Sequence, residues 1–266
     1  MNTKAILLVS VGTSQTKALE KTTLCLKEEI EKKYNKKCYV GYSSRFILSR
    51  MKEKGGDYSG IEEAMQQMVS DGVSEVLIQP TFLLNGVECE DMREQIEPYR
   101  EKFAHVRIGK PLFSEKTDYI KTLQVILDEV RLEEDEALVL IGHGTGHQAG
   151  TAYQNLEYTA YTQGMRNVFV GTVTDERSRR MALRKLGVSG YRKVRLMPLL
   201  FVAGVHAAKD IDGGETSWRG ILSEAGYEVT PQLLGLGELE GIREIFLEHL
   251  KAADKEDRQV RRQIGR

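Results

Sequence analysis

Two stretches of the chain carry the same ordered features 118 residues apart, and that register constrains the fold more than any single motif. Gly72-Val73-Ser74-Glu75-Val76 leads into Ile78-Gln79-Pro80, and Gly190-Tyr191-Arg192-Lys193-Val194 leads into Leu196-Met197-Pro198. Pro80 and Pro198 are 118 positions apart, and so are Gly86 and Gly204. A strand, its exit proline and the following loop glycine recurring together point to a duplicated lobe. A second register, 132 apart, pairs Gly12-Thr13 with Gly144-Thr145.

Each copy reads as strand, helix, strand, helix, strand. In the first, Ala5 to Val9 is a continuous apolar run of the kind buried on both faces of a parallel sheet. Lys17 to Lys32 has helical spacing, Tyr39 to Tyr42 is a short strand, Ile61 to Val69 is a helix closed by Asp71-Gly72, and Val76 to Pro80 is a strand. In the second, Ala137 to Ile141, Val168 to Gly171 and the run into Pro198 supply the strands. The expected fold is α/β, with two Rossmann-like lobes of parallel sheet and right-handed crossovers. Ser114 is placed to cap a helix from Glu115 to Leu132, so the lobes are expected at 1–130 and 131–266. Leu239 to Ala252 is a final amphipathic helix able to pack back on the first lobe, and Lys255 to Arg266 a frayed charged tail.

Composition narrows the function classes. Lys+Arg 38 against Asp+Glu 39 is not the basic footprint of a nucleic-acid binder. No apolar run reaches the roughly 18 residues of a membrane span, and Ala5 to Val9 is too short for a signal-peptide core, so a cytoplasmic location is expected. Cys25, Cys38 and Cys89 have neither the number nor the spacing for a disulfide framework or a cysteine zinc site.

The densest chemical signal is Gly142-His143-Gly144-Thr145-Gly146-His147, at a strand exit. Glycines let backbone approach a ligand, and imidazole is a metal ligand or a base near neutrality. The plain alternative is a glycine-rich turn whose histidines cap or hydrogen-bond. Position favours chemistry for His143, and capping or support for His147. The segment lacks both G-x-G-x-x-G and G-x-x-x-x-G-K-[ST], which argues against a nucleotide loop. His206 follows the apolar loop Phe201 to Val205, and the 118-residue register places Glu88 opposite it. Glu88 is either a site carboxylate or an acid stabilised at a helix N-terminus. Cys89 reads as a bystander, and His105 and His249 as structural. In open α/β sheets the strand C-termini, above all a cleft between two such lobes, are where ligands bind.

Together, Val9-Ser10-Val11-Gly12-Thr13-Ser14, Asn85-Gly86-Val87-Glu88, Gly142-His143-Gly144 and Gly204-Val205-His206 resemble the class II tetrapyrrole chelatases, in the order of the anaerobic cobalt-inserting branch. The resemblance runs from Ala5 to about Ala252. It implies two lobes related by pseudo-two-fold symmetry with the active site in the cleft between them, and insertion of Co²⁺ into sirohydrochlorin in early cobalamin synthesis. It implies His143 and Glu88 as catalytic groups, with His143, His206 and Glu88 as metal ligands. Ser10, Leu83, Leu84, Phe201 and Val202 are the expected substrate contacts, with Arg45, Arg50 and Lys209 as candidate partners for substrate carboxylates.

The partner is expected to be a tetrapyrrole (sirohydrochlorin or precorrin-2), with no organic cofactor, nucleic acid or membrane, and a homo-oligomer left open. Insertion of Fe²⁺ or Ni²⁺ is the close alternative. A non-catalytic tetrapyrrole or metal carrier is the alternative from another class. The chain departs from the family pattern at Thr174, where a carboxylate ligand is expected and Asp175 stands next to it. It departs again at Phe82, where some members carry histidine.

Overall fold

A computed structural model describes the backbone from Thr3 to Ile264, and the side chains from Thr3 to Lys255 with His206 excepted. The chain divides into two compact units. One comprises Met1–Ser114 with Arg243–Arg266, the other Glu115–Ile242.

The first unit is built on a four-stranded parallel sheet in the order β2-β1-β3-β4, with β1 Lys4–Ser10, β2 Cys38–Tyr42, β3 Glu75–Pro80 and β4 His105–Ile108. The second repeats it as β6-β5-β7-β8, with β5 Glu136–Gly142, β6 Val168–Thr172, β7 Lys193–Pro198 and β8 Glu228–Pro231. The repeat is legible in the pairing itself: Val9 lies opposite Pro80, and Ile141 opposite Pro198. A proline can end β3 and β7 because the ladder closes there, where its missing N–H costs nothing.

Helices α1 (Thr16–Leu19) and α2 (Cys25–Tyr34) join β1 to β2 through a π-helical turn, Glu20–Leu24. Between β2 and β3 come α3 (Arg45–Glu53) and α4 (Ile61–Ser70); α5 (Val87–Ile96) follows β3. The second unit holds α6 (Lys116–Val130), α7 (Thr151–Thr162), α8 (Glu176–Ser189), α9 (Val205–Asp212) and α10 (Trp218–Glu224). Side chains alternate across β1, and one set, Leu7 and Val9, packs with Ile78 against Ile61, Met65 and Met68 of α4 and Met92 of α5. In the second unit Val139, Ile141 and Phe169 pack with Leu186 of α8 and with Trp218 and Leu222 of α10.

Two sequence expectations change. Ser114 does not cap α6, because its hydroxyl donates to the Pro111 carbonyl at 2.7 Å; the first turn is closed by Asp118, whose carboxylate accepts from Glu115 N–H at 2.8 Å. The charged tail is helical as far as Ile264, where a frayed end was expected: α11 runs from Glu240 to Ile264, with no glycine or proline between Arg243 and Ile264 to stop it.

Helix exchange links the units. Helix α6 ends the first repeat in sequence, yet it belongs to the second unit, where it packs on α7. Helix α11 ends the second repeat, yet from Arg243 onward it belongs to the first unit. There Arg243 pairs with Glu29 at 2.8 Å, His249 Nδ1 meets the Lys110 carbonyl at 3.1 Å, and Asp254 pairs with Lys4 and Arg107. Ile245, Phe246 and Leu250 of the same helix are buried.

Candidate active site

All strands of a sheet run parallel, so the loops after β5, β6 and β7 share the C-terminal edge of the second sheet. The loop after β5 turns back at Gly144, whose φ of +93° lies in the left-handed region open to glycine. A Cβ there would run into Thr174 Oγ1 and lie 3.2 Å from Thr172 Cβ. Gly12 has φ +90° at the matching turn of the first unit, where a Cβ would lie 2.9 Å from Tyr42.

This turn presents His143 to solvent. Its carbonyl accepts two hydrogen bonds from Thr174, one from the backbone N–H and one from the hydroxyl, each 2.9 Å long. Thr174 thus uses its side chain to fix the residue that presents the imidazole. Asp175 is the N-cap of α8: its carboxylate accepts from Arg177 N–H at 2.9 Å. At His147 the structure agrees with capping, since Nδ1 accepts from Ala149 N–H at 3.1 Å at the start of a short 3₁₀ turn. That bond places the proton of a neutral His147 on Nε2.

Beneath the loop, the Tyr153 hydroxyl accepts from Gly144 N–H at 3.4 Å, and the ring lies so close to Gly142 that a Cβ there would overlap it. A depression of about 230 Å³ opens beside it, lined by Thr145, His147, Gln154, Thr172 and Asp175 among others. The Thr172 hydroxyl, which lines it, is buried with no hydrogen-bond partner among the described residues.

The β7 loop passes through Leu199 to Gly204, and Gly204 starts α9 in extended conformation. The backbone of His206 is in the first turn of α9; its side chain lies outside the described residues. In the first unit, Gly86 starts α5 the same way, and Glu88 is exposed in that first turn at the C-terminal edge of its sheet. His143 and the start of α9 therefore share one sheet edge, and Glu88 occupies the matching edge of the other unit.

Both loops that follow the prolines are pinned by the same pair of backbone bonds. Leu112 and Phe113 N–H donate to the Phe82 and Leu83 carbonyls, and Leu236 and Gly237 N–H donate to those of Leu200 and Phe201, all at 2.8–2.9 Å. This pinning decides which apolar side chains face outward. Leu83 and Val202 are half-buried, whereas Phe82, Leu84 and Phe201 turn into the interior. Ser10 is also buried, its hydroxyl 3.1 Å from that of Thr23 in the π-helical turn. Cys89 is buried, its thiol 3.3 Å from the Leu84 carbonyl, and burial pushes its pKa up to about 11. That places the thiolate, the nucleophilic and metal-binding form, out of reach at neutral pH.

Among the described residues no three His, Cys, Asp or Glu side chains form a group able to hold a metal ion, and no helix is long and apolar enough to cross a membrane. Sequence reading missed the structural parts played by Thr174 and Tyr153. Tyr153 carries one usable signal, its place in the helix that follows a glycine-rich strand exit.

A family model described as cobalt chelatase (CbiK) matches residues 4–255. The chain is 31% identical over 255 residues to the sirohydrochlorin cobaltochelatase of Salmonella typhimurium, covering 94% of this chain and 96% of that one. It is 29% identical over 259 residues to the sirohydrochlorin cobaltochelatase CbiKC of Nitratidesulfovibrio vulgaris, covering 95% and 91%. Among solved structures, SirB from Bacillus subtilis with Fe³⁺ superposes with a TM-score of 0.70 at 17% identity, over 97% of this chain and 98% of that one, a likeness of fold.

Proposed function

The chain belongs to the cobalt chelatase (CbiK) family, and from that premise we propose that it inserts Co²⁺ into sirohydrochlorin. The observation that carries the reading is the match along nearly the whole length of two sirohydrochlorin cobaltochelatases. The fold agrees, since it sets an exposed histidine at one sheet edge and an exposed carboxylate at the matching edge of the repeat.

The reaction exchanges one Co²⁺ for two protons on the macrocycle nitrogens. No oxidation state changes and no bond to carbon forms, so the step needs no organic cofactor. His143 holds the incoming Co²⁺ through a neutral imidazole, a ligand type suited to borderline divalent ions, or accepts a pyrrole proton. Its main chain is held by Thr174, so the imidazole pivots on a fixed base. Glu88 is the second proton acceptor or charged ligand, and His206 the second imidazole. Leu83 and Val202 offer apolar contact to the ring. Ser10, Leu84 and Phe201 support the strand ends from inside.

The duplicated units are 1–130 and 131–266 as copies of sequence, and the exchanged helices make the compact bodies differ from the copies. The location we propose for the enzyme is the cytoplasm.

An anaerobic insertion assay tests the reading, following the macrocycle absorption with Co²⁺, Fe²⁺ and Ni²⁺ in parallel. Turnover with Co²⁺ fastest is the expected result. Binding of the macrocycle without turnover would make the chain a carrier, and faster Fe²⁺ or Ni²⁺ insertion would reassign the metal.

A further inference from the structure

Helix α3 has no counterpart in the second repeat. β6 ends at Thr172 and α8 starts at Glu176, whereas β2 ends at Tyr42 and α4 waits until Ile61. The intervening α3 is capped by Ser44, which accepts from Ile47 N–H at 3.3 Å, and its inner side chains Ile47, Leu48 and Met51 pack with Leu19 and Tyr42. That inner stripe turns Phe46 and Arg50, four residues apart, to the outside.

Phe46 is 59% exposed, with the Arg50 guanidinium over its ring at 4.5 Å from the centroid. One exposed apolar side chain is ordinary. Here Val11, Phe46 and Val87 are all exposed, and each follows the C-terminal end of a different strand, β1, β2 and β3. Among the described residues, the exposed large apolar side chains of this unit are gathered at the edge where parallel sheets bind ligands.

We propose that Phe46 and Arg50 recognise the tetrapyrrole, the free face of the Phe46 ring stacking on the macrocycle and Arg50 taking a peripheral carboxylate. The proposal rests on the sirohydrochlorin reading and assigns residues to it. The chemistry is complementary on both counts. Sirohydrochlorin is a flat conjugated system fringed by carboxylates, and an aromatic face beside a planar guanidinium matches ring and rim together. Arg45, one residue before Phe46, lies 3.9 Å from Glu62 with both side chains exposed, too loose a pair to withhold it from an anion. Because only one repeat carries this helix, the two duplicated edges are not equivalent surfaces for an unsymmetric ring.

The second unit supplies an internal control. Tyr161 is 56% exposed with the Arg166 guanidinium 4.4 Å from its ring centroid, but it sits at the end of α7 that leads into the start of β6, the opposite end of that strand. The experiment titrates sirohydrochlorin into the parent, Phe46→Ala, Phe46→Tyr, Arg50→Ala and Tyr161→Ala, and measures Co²⁺ insertion in each. Phe46→Ala should weaken binding about 10-fold, raising KM by more than it lowers kcat, while Phe46→Tyr keeps parental affinity. Arg50→Ala should weaken it about 5- to 10-fold, a gap that narrows in high salt. Tyr161→Ala should match the parent.

Equal affinity in the parent, Phe46→Ala and Arg50→Ala would overturn the proposal, as would equal weakening by Tyr161→Ala. A change in oligomeric size on Phe46→Ala without a change in affinity would overturn it in favour of a subunit contact. If Phe46→Ala fails to fold, Arg50→Ala and its salt dependence decide. A parent that neither binds nor metallates sirohydrochlorin would instead remove the functional reading itself.

Discussion

The Thr174 side chain and main chain both end on one atom, the carbonyl oxygen of His143. Where a carboxylate ligand is expected from the family pattern, this chain has a hydroxyl that secures the loop carrying the imidazole. Asp175 caps α8 through one carboxylate oxygen. Both residues thus hold backbone at the C-terminal edge of the second sheet.

Thr174→Val should lower the insertion rate roughly 3- to 10-fold through loss of one hydrogen bond worth about 1 kcal/mol, while Thr174→Ser keeps the parental rate. Thr174→Glu should tighten Co²⁺ binding by supplying a charged oxygen. Asp175→Asn should leave Co²⁺ binding unchanged and stability within about 0.5 kcal/mol, because asparagine caps a helix as well as aspartate does. Calorimetric titration with Co²⁺ checks these; weaker binding by Asp175→Asn would make that carboxylate a ligand.

His143→Ala should lose about 10²- to 10⁴-fold in insertion rate, the usual worth of a positioned acid–base group. Sirohydrochlorin should still bind. His147→Ala should cost about 1 kcal/mol of stability through the lost cap and little activity. Single-turnover rates beside thermal melts separate the two, and a His147 effect on rate as large as that of His143 would reverse the roles.

Gly144→Ala should destabilise by more than about 1 kcal/mol, from strain at positive φ and overlap with Thr174. Gly146→Ala, with nothing within 4 Å of the added carbon and no positive φ, should cost little. Denaturant melts of the pair measure the difference. Equal loss in both would mean that the turn at Gly144 relaxes freely.

Asp71 should govern part of the acid limb of stability. The Lys37 ammonium at 2.6 Å, the Tyr39 hydroxyl and the Gln67 amide lower its pKa from 3.8 to about 2. A carboxyl with a depressed folded pKa stabilises fully above its unfolded value and loses that contribution as pH falls through the folded one. The stability difference between the parent and Asp71→Asn should be constant above about pH 4 and shrink toward pH 2. A difference that grows as pH drops over that range would contradict this sign.

The sheet was the legible part of the fold. Buried parallel strands write themselves as apolar runs, and the prolines at 80 and 198 mark equivalent rungs of two ladders. Helix α3 and strand β8 left weaker marks. The inner stripe of α3 is short, and its outer face mixes Phe46 with two arginines. β8 is a half-exposed edge of four residues with Val229 as its one aliphatic member. The placement of His143 and Glu88 after strand exits was readable, and both are exposed there, but Thr174 was legible only as a missing acid. A hydroxyl that folds back on its own loop leaves no periodicity or motif behind. Ser10, Leu84 and Phe201 are buried, which their motif positions did not show, since a motif position does not say which way a side chain turns.

The helix exchange sets a clock on biosynthesis. The residues of α11 that complete the first unit begin at Arg243, with 128 residues between it and Ser114. At about 5–20 residues per second, the ribosome takes roughly 6–25 s to make that stretch. During that interval the nascent first sheet waits without Phe246 and Leu250, and Lys4 and Arg107 wait without Asp254. Its closure waits until the whole second unit has been made, so loss of the last helix should be felt at the beginning of the chain.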